Sequence, residues 1–365
     1  MGFGIKKYIW YGVQYIKTFR PKLNTKNKYT IRYEQVIVRD KQPVVRVIEI
    51  ANLSKNSWVG GQIINNKLYM IPCSAEKGIV YDLEKKVISP FGEKCVGDFK
   101  WTGGAIYDGN LVCFPRKSGR YFIHNIEHQE ISYSLIPYKV NGEHHYGGVL
   151  TSDGVVLQPP RDSDYILEYN ISKKKFSKIQ VSPSIFGLKL RYCGSVLHPN
   201  GNVYFLPEAD SKVICYTPST RKLTFIGRRV TAYCFGAQVA SDGNIYGFSA
   251  YGKGILKINT VNNDVDILFN DVSFGCYGTK IGVDGKLYGI PGAGNKIWQF
   301  DVSTGKIDYI YEINDECQVK CAGGAIDKYG NIYCTPASGK RIYIIDFGNK
   351  EPISEEQYNI RYDFY

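Results

Sequence analysis

The chain has 365 residues, 44% of them hydrophobic and 14% aromatic, and carries 46 Lys and Arg against 34 Asp and Glu for a formal charge of +12. Seven of those charges (Lys6, Lys7, Lys17, Arg20, Lys22, Lys26 and Lys28) fall in residues 1 to 28, which contain no acid, so the remainder is only mildly basic and nucleic acid is not expected as a partner. None of the ten Cys has CxxC spacing, which excludes a zinc ribbon and a thioredoxin-like motif and makes reduced thiols in a cytoplasmic setting the expectation.

The chain opens with Gly2 to Phe19, which predicts a short basic helix with Ile5, Ile9, Val13 and Ile16 on one side and aromatic residues interspersed. It is too short and basic to span a membrane, and no small-residue cleavage site follows it. Such a helix suits either an anionic membrane surface or packing against the rest of the chain. Residues 1–28 are therefore set apart from a domain covering 29–365. Tyr29 to Val38 and Val44 to Ile50 read as strands.

From Trp58 onward a unit of about one blade length recurs, its first glycines at Gly60, Gly103, Gly147, Gly194, Gly236, Gly278 and Gly323, which lie 42 to 47 residues apart. Each unit runs from that glycine through an apolar strand to a tight turn, Asn65-Asn66, Asp108-Gly109, Asp153-Gly154, Asn200-Gly201, Asp242-Gly243, Asp284-Gly285 or Tyr329-Gly330. These pairs supply the left-handed conformations that a hairpin turn demands. A second strand follows with a Tyr near its start and ends at a Pro, as at Pro72, Pro207, Pro291 and Pro336. Proline cannot donate to a ladder, so it marks the strand end. A third apolar strand leads to an Asp or Asn turn such as Asp82, Asn170 or Asp301, and the fourth strand is weaker, as at Lys222 to Ile226.

Seven such units predict an all-β, seven-bladed β-propeller. The seventh unit lacks a fourth strand after Asp346, and Val44 to Ile50 is predicted to supply it and close the ring. Gln357 to Tyr365 reads as a further edge strand.

Because strands one and two are antiparallel, the start of the first and the end of the second share one face, where a ligand is expected. The residues opening each unit are Trp58, Trp101, His145, Tyr192, Cys234, Cys276 and Cys321. Those following strand two are Cys73, Arg116, Arg161, Glu208, Ala250, Gly292 and Ala337. Units two to four are polar and aromatic here, and units five to seven small and sulfur-containing. The ligand-binding candidates are Trp58, Trp101, Arg116, Tyr146, Arg161 and Arg191: forked guanidiniums suit a carboxylate or phosphate, and aromatic planes suit a sugar or a flat group. If chemistry occurs, His145, Tyr192 and Glu208 are the candidates for proton movement. Cys234, Cys276 and Cys321 share one register and are read as small buried hydrophobes rather than metal ligands, so neither a metal nor a cofactor is expected.

The pattern of Gly-Gly, apolar strand, Asp-Gly, Tyr, Pro, apolar strand and Asp resembles the blades of the group that includes Kelch-like, NHL-like and virginiamycin-lyase-like propellers. The likeness covers residues 44 to 346. It implies the fold and leaves activity open: the paired Tyr and Trp of Kelch blades are not regular here, and the His-centred site of the lyase does not map residue by residue. The functions in view are binding of a glycan, an acidic small molecule or a protein through units two to four; a lyase or hydrolase acting on an acidic sugar or cyclic ester; and an assembly scaffold.

Overall fold

The computed structural model describes residues 8–11, 14–19, 30–38, 43–51, 58–138, 145–181 and 190–354. They form seven antiparallel sheets, six of four strands and one of seven, arranged as the blades of a propeller. In blade two the strands are Trp101–Tyr107, Asn110–Pro115, Arg120–Asn125 and Ile131–Leu135; in blade three Val149–Leu150, Val155–Gln158, Tyr165–Asn170 and Lys175–Gln180. Blade four consists of Tyr192–Leu197, Val203–Pro207, Ser211–Thr217 and Lys222–Val230. The other blades follow the same order.

The recurrent Tyr after each turn has a defined partner. Tyr246 and Tyr288 each donate a hydroxyl hydrogen bond of 2.8 Å to a turn carboxylate, Asp242 and Asp284 respectively. Tyr333 does the same to Asp327 at 3.2 Å. The other oxygen of each carboxylate accepts a backbone N–H of the turn, from Asn244, Lys286 and Tyr329. One Asp thus caps the turn and ties down the ring that fills the space beside it, which is why Asp, Gly and Tyr travel together.

Ring closure follows the predicted scheme. Val44–Ala51 pairs antiparallel with Arg341–Asp346, placing Val47 opposite Tyr343. Ile48 and Ile50 are fully buried in the cluster shared by blades seven and one. Two ion pairs join the chain ends, Arg341 to Glu49 at 3.2 Å and Arg46 to Asp346 at 3.4 Å.

The N-terminal segment differs from expectation. Where a helix was predicted, Tyr8–Tyr11 and Gln14–Phe19 are strands that pair as a hairpin, and Thr30–Val38 joins that hairpin to Val44–Ala51. Blade seven is therefore extended to seven strands. The physical reason is visible in the residues: Tyr-Ile-Trp-Tyr and Gln-Tyr-Ile-Lys-Thr-Phe are aromatic and β-branched, and an open sheet edge rewards that more than a one-sided apolar stripe does. Residues 1–7, 12 and 13 of that segment, and the strand expected at Gln357 to Tyr365, lie outside the described residues. No helix among the described residues is long and apolar enough to cross a membrane.

The candidate site at the mouth of the central channel

Each inner strand begins with a distortion that decides which side chain reaches the axis. Register shifts interrupt the pairing of strands one and two beside the first glycine in blades one, two, four, six and seven. The first glycine holds a positive φ at Gly60, Gly103, Gly147, Gly278 and Gly323. At Gly60 an added Cβ would stand 2.8 Å from the Gly103 Cα, so neighbouring blades meet there backbone to backbone.

As a result, the residue that opens each blade turns into the layer between blades, while the next residue reaches the axis. Val59, Tyr146, Cys193, Phe235, Tyr277 and Ala322 pack in one cluster, with Cys73, Ala250 and Ala337 from the ends of strand two. Tyr146 of blade three stacks on Phe235 of blade five at 5.0 Å, which non-adjacent blades can achieve only across the axis. Phe235 meets Tyr277 edge to face at 5.1 Å, and Tyr251 leans on both from the loop after strand two of blade five. The Tyr277 hydroxyl donates to that of Tyr251. Burial and this bond push the Tyr277 pKa well above the ordinary range, so it stays protonated.

The opening residues act as anchors. Trp58 Nε1 donates to the Lys77 carbonyl at 3.0 Å, Trp101 Nε1 to the Arg120 carbonyl at 2.8 Å, and the Tyr192 hydroxyl to the Lys212 carbonyl at 2.7 Å. The accepting carbonyl lies at or beside the start of strand three in all three blades. Burial pushes Tyr192 up to about 12. His145 is fully buried, its Nδ1 sits 2.9 Å from the Pro159 carbonyl, and its ring meets Tyr165 edge to face. Cys234, Cys276 and Cys321 are buried free thiols that point at backbone carbonyls. Among the described residues no group of three His, Cys, Asp or Glu side chains is placed to hold a metal ion.

The residues after strand two do converge. The Arg116 guanidinium lies between two rings, 4.4 Å from the Phe99 centroid and 4.6 Å from that of Tyr146. Arg161 sits over the same Tyr146 ring at 5.1 Å. Glu208 grips Arg161 with both oxygens, the Nη2 to Oε1 bond measuring 3.1 Å. Arg191 stands apart, 46% exposed and paired with Asp162 at 3.4 Å. Nearby, Lys100 is buried and donates to the carbonyls of Ala75 and Gly97, and burial lowers its pKa.

Of the nominated residues, then, Arg116, Tyr146, Arg161 and Glu208 form one constellation, while Trp58, Trp101, His145 and Tyr192 sit behind it in the blade layers. Phe99, Phe235, Tyr251 and Tyr277 complete the constellation and were not nominated. The signal for Phe235 and Tyr277 was in the repeat, one position after the residues inspected; Phe99 and Tyr251 lie on inter-strand loops where the repeat offers no register. A concavity of about 1180 Å³ opens at the opposite end between blades three and four, bordered by His198, Tyr216 and the Glu168–Arg221 ion pair. It contains none of the nominated residues.

Together, the fold and this mouth define a seven-bladed β-propeller with an aromatic and cationic patch at one end of its axis. Its fold is that of the virginiamycin B lyases. A catalytically inactive virginiamycin B lyase from Staphylococcus aureus, solved with Quinupristin, superposes with a TM-score of 0.69 at 14% identity over 82% of this chain and 98% of that one. A streptogramin B lyase gives 0.68 at 13% identity over 82% and 96%. A putative 6-phosphogluconolactonase from Bacteroides fragilis gives 0.57 at 15% identity over 84% and 97%. At such identities the likeness is one of fold. No family model matches the chain. No curated protein matches it in sequence.

Proposed function

We propose that this propeller binds a small acidic molecule with a flat apolar portion at the mouth of its channel. The observation that carries this reading is the convergence of the Arg116 and Arg161 guanidiniums on the Tyr146 ring, at 4.6 and 5.1 Å from its centroid. The rings of Phe235, Tyr251 and Tyr277 continue the same surface. Guanidiniums bind carboxylates through paired charge-assisted hydrogen bonds, and stacked rings offer a plane for an aromatic or unsaturated group. A carboxylate accepts charge-assisted hydrogen bonds from guanidinium N–H groups that a neutral glycan can match only with weaker neutral ones, which is why the acidic ligand is preferred.

On this reading His145, Tyr192, Trp58 and Trp101 are positioning residues: the two indole N–H groups, the Tyr192 hydroxyl and His145 Nδ1 are directed at backbone carbonyls, each within its own blade. Binding is favoured over turnover for the same reason. The lyase and lactonase names of the structural neighbours belong to those proteins, and a turnover assay on acidic sugars and cyclic esters is the corresponding check on the enzyme reading.

The test is isothermal titration calorimetry with a panel of aromatic and aliphatic carboxylates. Arg116→Ala is expected to weaken any binder roughly tenfold or more, the scale of a charge-assisted hydrogen bond. Binding that ignores both Arg116→Ala and Tyr146→Ala would place the ligand elsewhere and end this reading.

A further inference from the structure

The concavity between blades three and four exists because blade three departs from the repeat at two positions. Tyr246, Tyr288 and Tyr333 each stand opposite the residue two places past the first glycine, Gln238, Lys280 and Ala325 respectively. Their rings fill the gap to the next blade: Tyr246 meets Phe300 of blade six at 5.7 Å, and Tyr288 meets Phe347, just past the third strand of blade seven, at 5.6 Å. In blade three this register, opposite Val149, holds Leu157, which packs in one cluster with Tyr192 and Val203 of blade four. Blade two lacks the tyrosine as well, with Val112 in its place, but there Tyr107 crosses the gap and its hydroxyl lies 3.0 Å from that of Ser172. The position of Tyr107 is taken in blade three by Thr151, whose hydroxyl turns back to Asp153 and the Val155 carbonyl. With neither ring in place, a cavity of about 1180 Å³ remains, lined on its apolar side by Val155, Leu157, Leu197 and Val239.

The acceptor that the absent ring would meet is still present. Asp153 holds the turn position of Asp242 and Asp284, and the turns match: the N–H groups of Gly154, Gly243 and Gly285 each donate to the carbonyl three residues back at 3.0 Å. In blades five and six the Oδ2 of that carboxylate accepts the tyrosine hydroxyl. Asp153 is exposed at the cavity's edge, and the Thr151 hydroxyl engages its Oδ1. The other carboxylate lining the cavity, Glu168, is already held by Arg221 and by the Ser177 hydroxyl. We propose that this cavity binds a phenol, the ring entering the slot that a tyrosine fills in other blades and the hydroxyl donating to Asp153 Oδ2. Aliphatic walls with one convergent polar group are the usual makeup of a small-molecule site, and a hydroxyl bound to a carboxylate is a charge-assisted hydrogen bond. The site lies at the opposite end of the propeller from the channel mouth and stands independently of it.

The experiment titrates p-cresol, with its methyl ether as control, into the protein by ligand-observed NMR. The ether cannot donate, so p-cresol is expected to bind roughly fivefold or more tightly, the scale of one net hydrogen bond. Leu157→Tyr supplies the ring from within the chain and should abolish p-cresol binding while raising the thermal midpoint. Asp153→Ala, a change on an exposed turn, should bring p-cresol down to the affinity of the ether, and it keeps the proposal open to refutation if Leu157→Tyr fails to fold. N-acetyltyrosinamide separates the two sources of a phenol, each consistent with the site: tighter binding than p-cresol identifies a peptide side chain, and weaker binding a free small molecule. The proposal is overturned if p-cresol fails to bind at millimolar concentration, binds no better than its ether, or binds Leu157→Tyr as well as wild type. Loss of p-cresol binding in Tyr146→Ala would overturn it too, by moving the phenol to the mouth.

Discussion

The Tyr288 hydroxyl donates a 2.8 Å hydrogen bond to the Asp284 carboxylate, joining the hairpin turn of blade six to the ring packed beside it. Tyr246 and Asp242 repeat this bond in blade five at the same distance. Tyr288→Phe keeps the ring and removes the bond, and it is expected to lower stability by about 1 kcal/mol. Asp284→Ala also strips the cap from the Lys286 N–H and should cost more than Tyr288→Phe. Urea unfolding of the two variants checks the order; equal or reversed costs would mean that the carboxylate does not serve both groups.

Closure of the ring depends on a strand drawn from the other end of the chain. Ile48 is fully buried where that strand packs against blades seven and one. Ile48→Ala should destabilise by about 2–5 kcal/mol, as large-to-small changes in a packed core do. Because Ile48 sits at the seam, the loss should appear as a lower midpoint of a single cooperative transition. A variant that unfolds in two separate steps would show that blade seven is independent of the ring.

Trp101 separates anchoring from recognition. Trp101→Phe removes one donor to the Arg120 carbonyl, which still accepts from the Ser118 hydroxyl at 2.8 Å, and should cost about 1 kcal/mol of stability, the net worth of one hydrogen bond. Affinity for an aromatic carboxylate should stay within about twofold of wild type, against roughly tenfold or more for Arg116→Ala. A tenfold affinity loss in Trp101→Phe at unchanged stability would instead make Trp101 a ligand contact.

Lys280 predicts a pH dependence. It is 1% exposed on the inner strand of blade six, and burial, opposed by the nearby Cys334, lowers its pKa from 10.5 to about 7. Between those values the unfolded chain holds a proton that the folded protein lacks, so this group makes the fold more stable as pH rises from about 7 toward 10.5. Lys280→Met removes the titration. The variant should be the more stable protein at pH 7, and its advantage should shrink by about 1.4 kcal/mol for each pH unit toward 9.5. Parallel stability curves for the two proteins would show that Lys280 remains charged in the fold.

Much of the architecture was legible in the residues because it rests on local chemistry repeated seven times. The turn pairs with left-handed backbone, the Asp that binds a Tyr four or six residues on and the Pro that ends strand two are short-range devices, and they counted the blades. Even the ring closure could be read, since Val44 to Ile50 alternates as a strand and the seventh unit lacked one. The N-terminal segment was misread because its apolar residues fit a helical stripe, while the sheet edge offered by Thr30–Val38 is a tertiary fact. Half of the candidate site was found: Arg116, Arg161, Glu208 and Tyr146 were in view, but their company was not.

Repeat spacing and turn chemistry thus determined by themselves that this is a closed seven-bladed propeller and which end carries its polar sector. Only the tertiary structure decided which side chains face the axis, because the register shift at the start of the inner strand in blades one, two and four turns Trp58, Trp101 and Tyr192 into the blade layers, while Val59, Tyr146 and Cys193 gather in one cluster with residues of other blades. It also decided that Tyr146 meets Phe235 across the axis and that Arg161 meets Glu208 in the next blade. Those contacts join residues 89 and 47 positions apart, as their numbers give (235 less 146, and 208 less 161), the first across the axis and the second between neighbouring blades.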